Sequence, residues 1–181
     1  MKPTQRLQVA VVLAILLTAV LAAAQATPPA ADQVLNTAVQ TAKAQQKNVL
    51  ILFGASWCSW CKRLDAMLAS PEVGKLFHDS YVIEHLTIQE SKDKLHLENP
   101  GAQAMVDSAG GKGSGVPVYL FFDSSGNPLA TSMAMPGGKN IGHPATPEEI
   151  EAFDGLLEKT APRMSVEQRR QVKTYLSSQK L

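Results

Sequence analysis

The chain has very little cysteine: among 181 residues there are two, Cys58 and Cys61, and they lie three positions apart. Two cysteines exclude a small scaffold held together by several disulfides. A single bridge across this gap stabilises little, because the entropy that a disulfide removes from the unfolded chain grows with the loop that it closes. A chain of this length can also bury a core without one. The pair therefore favours a chemical over a structural explanation.

The chain also has almost no excess of charge of either sign. It contains seventeen lysines and arginines and sixteen aspartates and glutamates, so the formal net charge is +1, and no block of like charges stands out. Proteins that bind nucleic acid usually carry a basic face or a recognisable motif, and neither is found here. The glycine-rich stretch 110–115 lacks the spacing of a phosphate-binding loop. We therefore expect no nucleic acid partner.

The N-terminal segment differs in composition from the rest of the chain. Lys2 and Arg6 precede an apolar run over Val9–Leu21, which ends before the small-residue sequence Ala24-Gln25-Ala26. A basic start, a short apolar run and an Ala-x-Ala site are typical of a secretory signal peptide. We predict a signal peptide over 1–26, cleaved after Ala26, and export to the periplasm or the extracellular space. The alternative is an uncleaved membrane anchor, although the run is shorter than the span of about 20 residues that a membrane helix needs.

The remaining pattern predicts an α/β fold. Apolar residues at helical spacing alternate with short buried or alternating runs, in the order helix, strand, helix, strand, helix, strand, strand, helix, followed by one extra helix. Crossover helices join parallel strands and a hairpin joins antiparallel ones, so we expect a mixed sheet of about four strands flanked by helices. The predicted segments are a helix over 34–42, a strand over Val49–Phe53, a helix that opens at the first cysteine, a short helix over Glu72–Phe77, a strand over 81–88, a short helix over Ala102–Ser108, a hairpin of Val118–Phe122 and Leu129–Ala134, and two C-terminal helices.

Three helix starts carry recognisable capping residues. Thr146 with Glu149, and Ser165 with Gln168, have the spacing of capping boxes. Ser56 is predicted to cap the helix that carries the cysteines. We divide the chain after the signal peptide into a domain over 27–162 and a C-terminal helical extension over 163–181.

The cysteine pair stands where a buried strand ends and a helix begins, which is the context in which Cys-x-x-Cys reads as a redox motif. Cys58 is expected at the helix N-terminus, where unpaired N–H groups and the helix dipole lower a thiol pKa and stabilise the thiolate. Cys61 follows one turn later on the same face, close enough to form a disulfide. We expect Cys61 to be the more buried of the two and to resolve a mixed disulfide.

Three stretches together resemble the thioredoxin superfamily: "VLILFGASWCSWCK", "NPGAQAM" and "GVPVYLFFDSSGNPL". The resemblance covers roughly Asp32 to Lys159. It implies a thioredoxin-like fold with Cys58 as nucleophile and Cys61 as resolving cysteine, and no cofactor. It further implies that a cis bond joins Val116 to Pro117, that this bend faces the cysteines and pairs with an extended substrate segment, and that Trp57 shields the site and contacts substrate.

The chain also departs from thioredoxins proper. Ser59 and Trp60 stand between the cysteines in place of Gly-Pro, and Leu52 stands where thioredoxins carry a buried acid. That acid is thought to help deprotonate the resolving cysteine, so its absence leaves Glu84 and His85 as candidates for the proton acceptor. Together with the signal peptide, these departures point to a secreted thioredoxin-like protein of bacterial type.

The predicted function is a thiol–disulfide oxidoreductase acting on protein disulfides, as a reductase rather than an oxidase. Its partners would be protein substrates and an electron donor or acceptor, for example one in the membrane, and we expect a monomer. Two alternatives stay open. One is an interaction or folding-assistance protein of low turnover. The other is a metal-binding module that uses the cysteine pair, although the four histidines form no second spaced pair of ligands: His78, His85, His96 and His143.

Overall fold

The computed structural model describes residues 27–179, so the predicted signal peptide over 1–26 lies outside the described residues. The described part contains a mixed four-stranded sheet in the order β2-β1-β3-β4, flanked by helices. The predicted fold class is confirmed. The strands are β1 Asn48–Gly54, β2 Tyr81–Thr87, β3 Val118–Phe122 and β4 Pro128–Thr131, and the helices are α1 Ala31–Gln45, α2 Ser59–Leu68, α3 Gly74–Ser80, α4 Ala102–Val106, α5 Pro147–Thr160 and α6 Val166–Ser178.

Strand β1 lies inside the sheet and ends at the cysteine motif. It pairs in parallel with β2, where Leu52 is opposite His85 and Gly54 is opposite Thr87. It pairs antiparallel with β3, where Phe53 is opposite Val118. Its five central residues are buried, as expected for a continuous apolar run with both faces covered.

The two faces of the sheet are covered by different helices. Alternate residues of β1 divide between them, because successive side chains of a strand point to opposite faces. Val49, Ile51 and Phe53 pack in one cluster with residues of α1 and α4. Leu50 and Leu52 pack in the other cluster, with residues of α2, α3, α5 and α6. The cysteine-bearing helix α2 thus lies on the same face as the C-terminal helix α6.

The starts of α5 and α6 are as predicted. Thr146 accepts a hydrogen bond from the Glu149 N–H, and the Glu149 carboxylate accepts one from the Thr146 N–H. Ser165 and Gln168 form the same reciprocal pair. Such boxes satisfy N–H groups that otherwise have no partner in the first helical turn. Within residues 27–179, no helix is long and apolar enough to cross a membrane.

Some predicted boundaries are wrong. Helix α3 begins at Gly74 rather than Glu72, after a turn so close that a Cβ on Gly74 would lie 2.4 Å from the Leu68 carbonyl oxygen. Strand β4 ends at Thr131 rather than Ala134, and the ladder with β3 shifts register at its other end, beside Phe122. Helix α4 ends at Val106, and a π-helical turn continues over Asp107–Gly111.

Candidate active site

The cysteine pair forms a disulfide at the first turn of α2. Cys58 is the N-cap residue: its N–H donates to the Ala55 carbonyl at 3.0 Å, and its Sγ accepts the N–H of Cys61 at 3.0 Å. A sulfur in this position lies where the helix dipole and unpaired N–H groups favour negative charge. The arrangement is suited to holding a thiolate on Cys58 once the bridge is reduced.

Ser56 does not cap this helix, contrary to the prediction, because the helix begins at Ser59 and Cys58 occupies the N-cap position. Ser56 instead binds the carboxylate of Glu90, its N–H at 2.5 Å and its hydroxyl at 2.9 Å. The Lys94 ammonium donates to the same hydroxyl at 3.3 Å. The hydrogen bond from the Ser56 N–H holds the pKa of Glu90 below its ordinary value. The carboxylate thus fixes the turn that leads into the motif.

The order of burial of the two cysteines is the reverse of the prediction. Cys58 is 2% exposed, whereas Cys61 is only half-buried. The Val116 carbonyl oxygen lies 3.6 Å from the Cys58 sulfur and covers it. Cys61 borders an open cavity instead. The sequence could not reveal this, because the covering residue comes from a segment 58 positions away.

The bond between Val116 and Pro117 is cis, as the family resemblance implied. Pro117 lines the same cavity as Cys61, so the bend faces the disulfide. The Asn140 side-chain amide donates hydrogen bonds to the carbonyls of Gly115 and Pro117, at 2.9 Å each, and so ties this bend to the loop after the hairpin. Sequence reasoning missed Asn140, which lies in a polar loop after the hairpin and has no motif around it.

The two tryptophans of the motif have different environments. Trp57 is 57% exposed, and its indole N–H donates to the Gln89 carbonyl at 2.8 Å. Trp60 is 42% exposed and has the Arg63 guanidinium 5.1 Å from its ring centroid. Its ring also stacks on His143. Both tryptophans place aromatic surface beside the disulfide, where a bound polypeptide could contact them.

A cavity of about 330 Å³ opens beside Cys61, on the face of the sheet that α2 covers. Leu52, in the position of the buried acid of thioredoxins, forms part of its apolar wall. Its polar lining includes Asp65, His85 and Glu90. The His85 Nε2 atom lies 2.9 Å from Asp65 Oδ1. Of the two proton acceptors that the sequence suggested, His85 borders this cavity, whereas Glu84 is its neighbour along β2 and points to the other face.

Within residues 27–179, no group of three or more histidine, cysteine, aspartate or glutamate side chains is arranged to hold a metal ion. Two thiolates supply half of a tetrahedral zinc site. The described site contains the Cys58–Cys61 disulfide, the cis Val116–Pro117 bond and the cavity.

Comparisons with known proteins agree with this description. The thioredoxin-like family model matches residues 30–124, a span that includes both cysteines and the Val116–Pro117 bond. No curated protein matches the chain.

Several solved structures are similar. A disulphide isomerase from Xylella fastidiosa Temecula1 shares 17% identity over 82% of this chain and 92% of its own, with a TM-score of 0.48. The oxidised C-terminal domain of DsbD from Neisseria meningitidis shares 25% identity over 56% of this chain and 84% of its own, with a TM-score of 0.37. A thioredoxin from Thermus thermophilus shares 15% identity over 85% and 92%, with a TM-score of 0.42.

Proposed function

The chain belongs to the thioredoxin-like family, and from this premise we propose that it is a thiol–disulfide oxidoreductase that reduces disulfide bonds in other proteins. The observation that carries the proposal is the Cys58–Cys61 bridge at a helix N-terminus, with the Cys58 sulfur accepting the Cys61 N–H at 3.0 Å. That hydrogen bond and the helix dipole both favour a thiolate, which is the attacking species in disulfide exchange.

The reaction has two exchange steps. In the reduced chain the Cys58 thiolate attacks one sulfur of a substrate disulfide, forms a mixed disulfide and releases the first substrate thiolate. The Cys61 thiolate then attacks the Cys58 sulfur, closes the Cys58–Cys61 bridge and releases the second thiolate. The substrate gains two electrons, the chain loses two, and a separate donor restores the dithiol.

The substrate is proposed to lie along the Val116–Pro117 bend. The Val116 carbonyl is 3.6 Å from the Cys58 sulfur, so a strand that pairs with this backbone brings its own disulfide against the nucleophile. Trp57 and Trp60, both substantially exposed, would contact the neighbouring side chains of that strand. Because these contacts are made by backbone and aromatic groups, they favour extended protein segments over small disulfides.

The direction of electron flow and the location of the protein belong to the proposal too. Strong oxidants of this class stabilise their reduced form, and neither Ser59 nor Trp60 supplies a cation that would do so. We therefore propose a reductase that is exported by the predicted signal peptide and acts as a monomer. An electron donor, such as a membrane protein, would reduce its disulfide after each turnover. A Cys58/Cys61 potential near −120 mV against glutathione would contradict the reductase direction.

The direct test is reduction of insulin disulfides with dithiothreitol as donor, followed by turbidity. The wild-type chain is expected to accelerate precipitation, and Cys58→Ser is expected to abolish this, since no attacking thiolate is left. Cys61→Ser is the matched variant: it can attack but cannot resolve, so it should accumulate a mixed disulfide on Cys58. Full activity of Cys58→Ser would contradict the proposed function.

One observation favours a second candidate. Cys58 is only 2% exposed in the disulfide form, which limits access to it. An interaction or folding-assistance protein of low turnover would tolerate such limited access. For that candidate, the insulin assay would show almost no acceleration, while Cys61→Ser would still trap a partner through Cys58.

A further inference from the structure

Resolution of the mixed disulfide requires Cys61 to lose a proton, because the thiolate and not the thiol attacks the Cys58 sulfur. In the disulfide form Cys61 packs against the end of β1: a Cβ on Gly54 would lie 3.1 Å from its Sγ. No carboxylate lies beside it on β1, because the residues of that strand, Asn48–Gly54, include no aspartate or glutamate. The group that receives the proton must therefore come from another element.

The neighbouring strand supplies one. In a parallel pair, residues opposite each other point to the same face, and His85 is opposite Leu52 while Thr87 is opposite Gly54. His85 therefore lies on the face of the sheet that α2 covers, at the edge strand, where its side chain is 59% exposed. The walls of the cavity include Cys61, His85 and Thr87. Imidazole is the side chain best suited to exchange protons near neutral pH.

Asp65 orients this imidazole. It lies one turn beyond Cys61 on α2, and its Oδ1 is 2.9 Å from the His85 Nε2. A carboxylate accepts hydrogen bonds, so the tautomer of His85 that donates from Nε2 to Asp65 has its lone pair on Nδ1. A base oriented by a carboxylate is the arrangement that activates nucleophiles in many enzymes.

The cavity provides the route between the two groups. With about 330 Å³ and a lining that includes Thr87, Asp65 and Glu90, it has room and polar partners for water beside Cys61. A base can act through one such water as well as by direct contact. Cys61 is half-buried and borders this cavity.

We propose that His85, oriented by Asp65, accepts the proton of Cys61 through water in this cavity, and so replaces the acid that β1 lacks. The inference rests on the proposed function. In the step, the Cys61 S–H bond breaks and its proton passes to His85 Nδ1. The Cys61 thiolate forms the bond to Cys58 Sγ, and the substrate thiolate leaves with the electron pair of the mixed disulfide.

Two other titratable groups, Glu90 and His78, lie near the pair. Glu90 borders the same cavity from the loop after β2. His78 of α3 lies on the far side, in a second depression that includes Asp65 and His85 but not Cys61. His78 is thus a matched control: a histidine beside the same pair without access to the sulfur.

The experiment follows the full-length reduced chain reacting with excess 5,5′-dithiobis(2-nitrobenzoate) by stopped flow from pH 5.5 to 8.5. The first release of thionitrobenzoate reports attack by Cys58 and depends on reagent concentration. The second reports attack by Cys61 on the mixed disulfide and does not. The two phases separate the proposed function from the inference.

His85→Gln should slow the second phase at pH 7 by about tenfold or more, because general base catalysis is lost. Its second-phase rate should then rise about tenfold per pH unit, as expected when solvent alone removes the proton. The first phase should change less than about twofold. Asp65→Asn, which leaves β2 intact, should change the second phase in the same direction: a lower rate at pH 7 and a rate that rises with pH. His78→Gln should match the wild type in both phases.

An unchanged second-phase profile in both His85→Gln and Asp65→Asn would overturn the inference and leave the proposed function standing. Equal slowing of both phases would also overturn it, since that outcome indicates a structural role for His85. If the first phase survived unchanged in Cys58→Ser, that result would instead contradict the proposed function.

Discussion

Trp60 and His143 are stacked, with ring centroids 6.0 Å apart and ring planes inclined by 25°. The contact joins the cysteine motif to the loop before α5. His143 is 7% exposed, and its Nδ1 is buried without a hydrogen-bond partner among the described residues. Burial lowers the pKa of His143 below its ordinary 6.5, Arg63 lowers it further, and Glu149 opposes both.

This lowered pKa predicts acid sensitivity. Below about pH 6.5 the unfolded chain binds a proton at His143 that the folded chain does not, so stability falls with pH until the folded-state pKa is reached. His143→Gln should lose less free energy of unfolding than the wild type between pH 7.5 and pH 5, measured with urea. The other histidines are common to both proteins and cancel. Parallel losses in the two proteins would contradict the prediction.

Glu90→Gln should destabilise the chain in a pH-dependent way. The folded-state pKa of Glu90 is lowered, chiefly by the Ser56 N–H, so its contribution is present above the ordinary pKa of 4.5 and is lost as pH falls through the folded value. Urea unfolding should show the variant less stable than the wild type at pH 7 and closer to it at pH 3. Glu72→Gln, at an exposed position in the turn between α2 and α3, is the control and should change stability at pH 7 by less than about 0.5 kcal/mol.

Gly54→Ala should weaken the disulfide form more than the reduced form. The new Cβ would lie 3.1 Å from Cys61 Sγ, which the bridge and α2 hold in place, whereas a reduced Cys61 side chain can rotate away. Overpacking of this kind costs about 1–3 kcal/mol, and urea unfolding of the two redox forms measures it. Gly115→Ala is the control, since an added Cβ there meets no atom within 4 Å. Equal losses in both redox forms would contradict the argument.

Val172→Ala tests whether the C-terminal helix is part of the main folding unit. Val172 of α6 is fully buried in the same cluster as Leu50 of β1. Its truncation should therefore reduce the free energy of unfolding by about 2 kcal/mol and lower the midpoint of a single unfolding transition. Val166→Ala, at a position 73% exposed on the same helix, should change stability by less than about 0.5 kcal/mol. A separate early transition for α6 would indicate an appended element instead.

The sequence predicted those parts of the fold that are encoded locally. The buried run Val49–Phe53 identified β1 because a strand covered on both faces is apolar throughout. Thr146 with Glu149 identified the start of α5, since a capping box spans only four residues. The position of Cys58 followed from the same logic, although the residue that caps α2 proved to be the cysteine itself.

The rest of the site depends on contacts between distant segments. Glu90 reaches Ser56 across 34 positions, and Asn140 reaches Pro117 across 23. Both lie in polar loops without periodicity, so nothing near them in the chain distinguishes them from solvated residues. The burial of Cys58 beneath Val116 was mispredicted for the same reason.

The disulfide closes a loop of a single helical turn, so loop closure contributes less to the free energy of unfolding than it would for a long loop. A loop so short removes less entropy from the unfolded chain than a long one, about 2 kcal/mol at 25 °C in the chain-entropy model. A difference in stability between the two forms that departs from this value is generated by the folded site. By a thermodynamic cycle it equals the displacement of the potential from that of the unfolded motif, with 1.4 kcal/mol corresponding to about 30 mV. Two denaturation curves would thus measure how far the fold itself displaces the potential of Cys58 and Cys61.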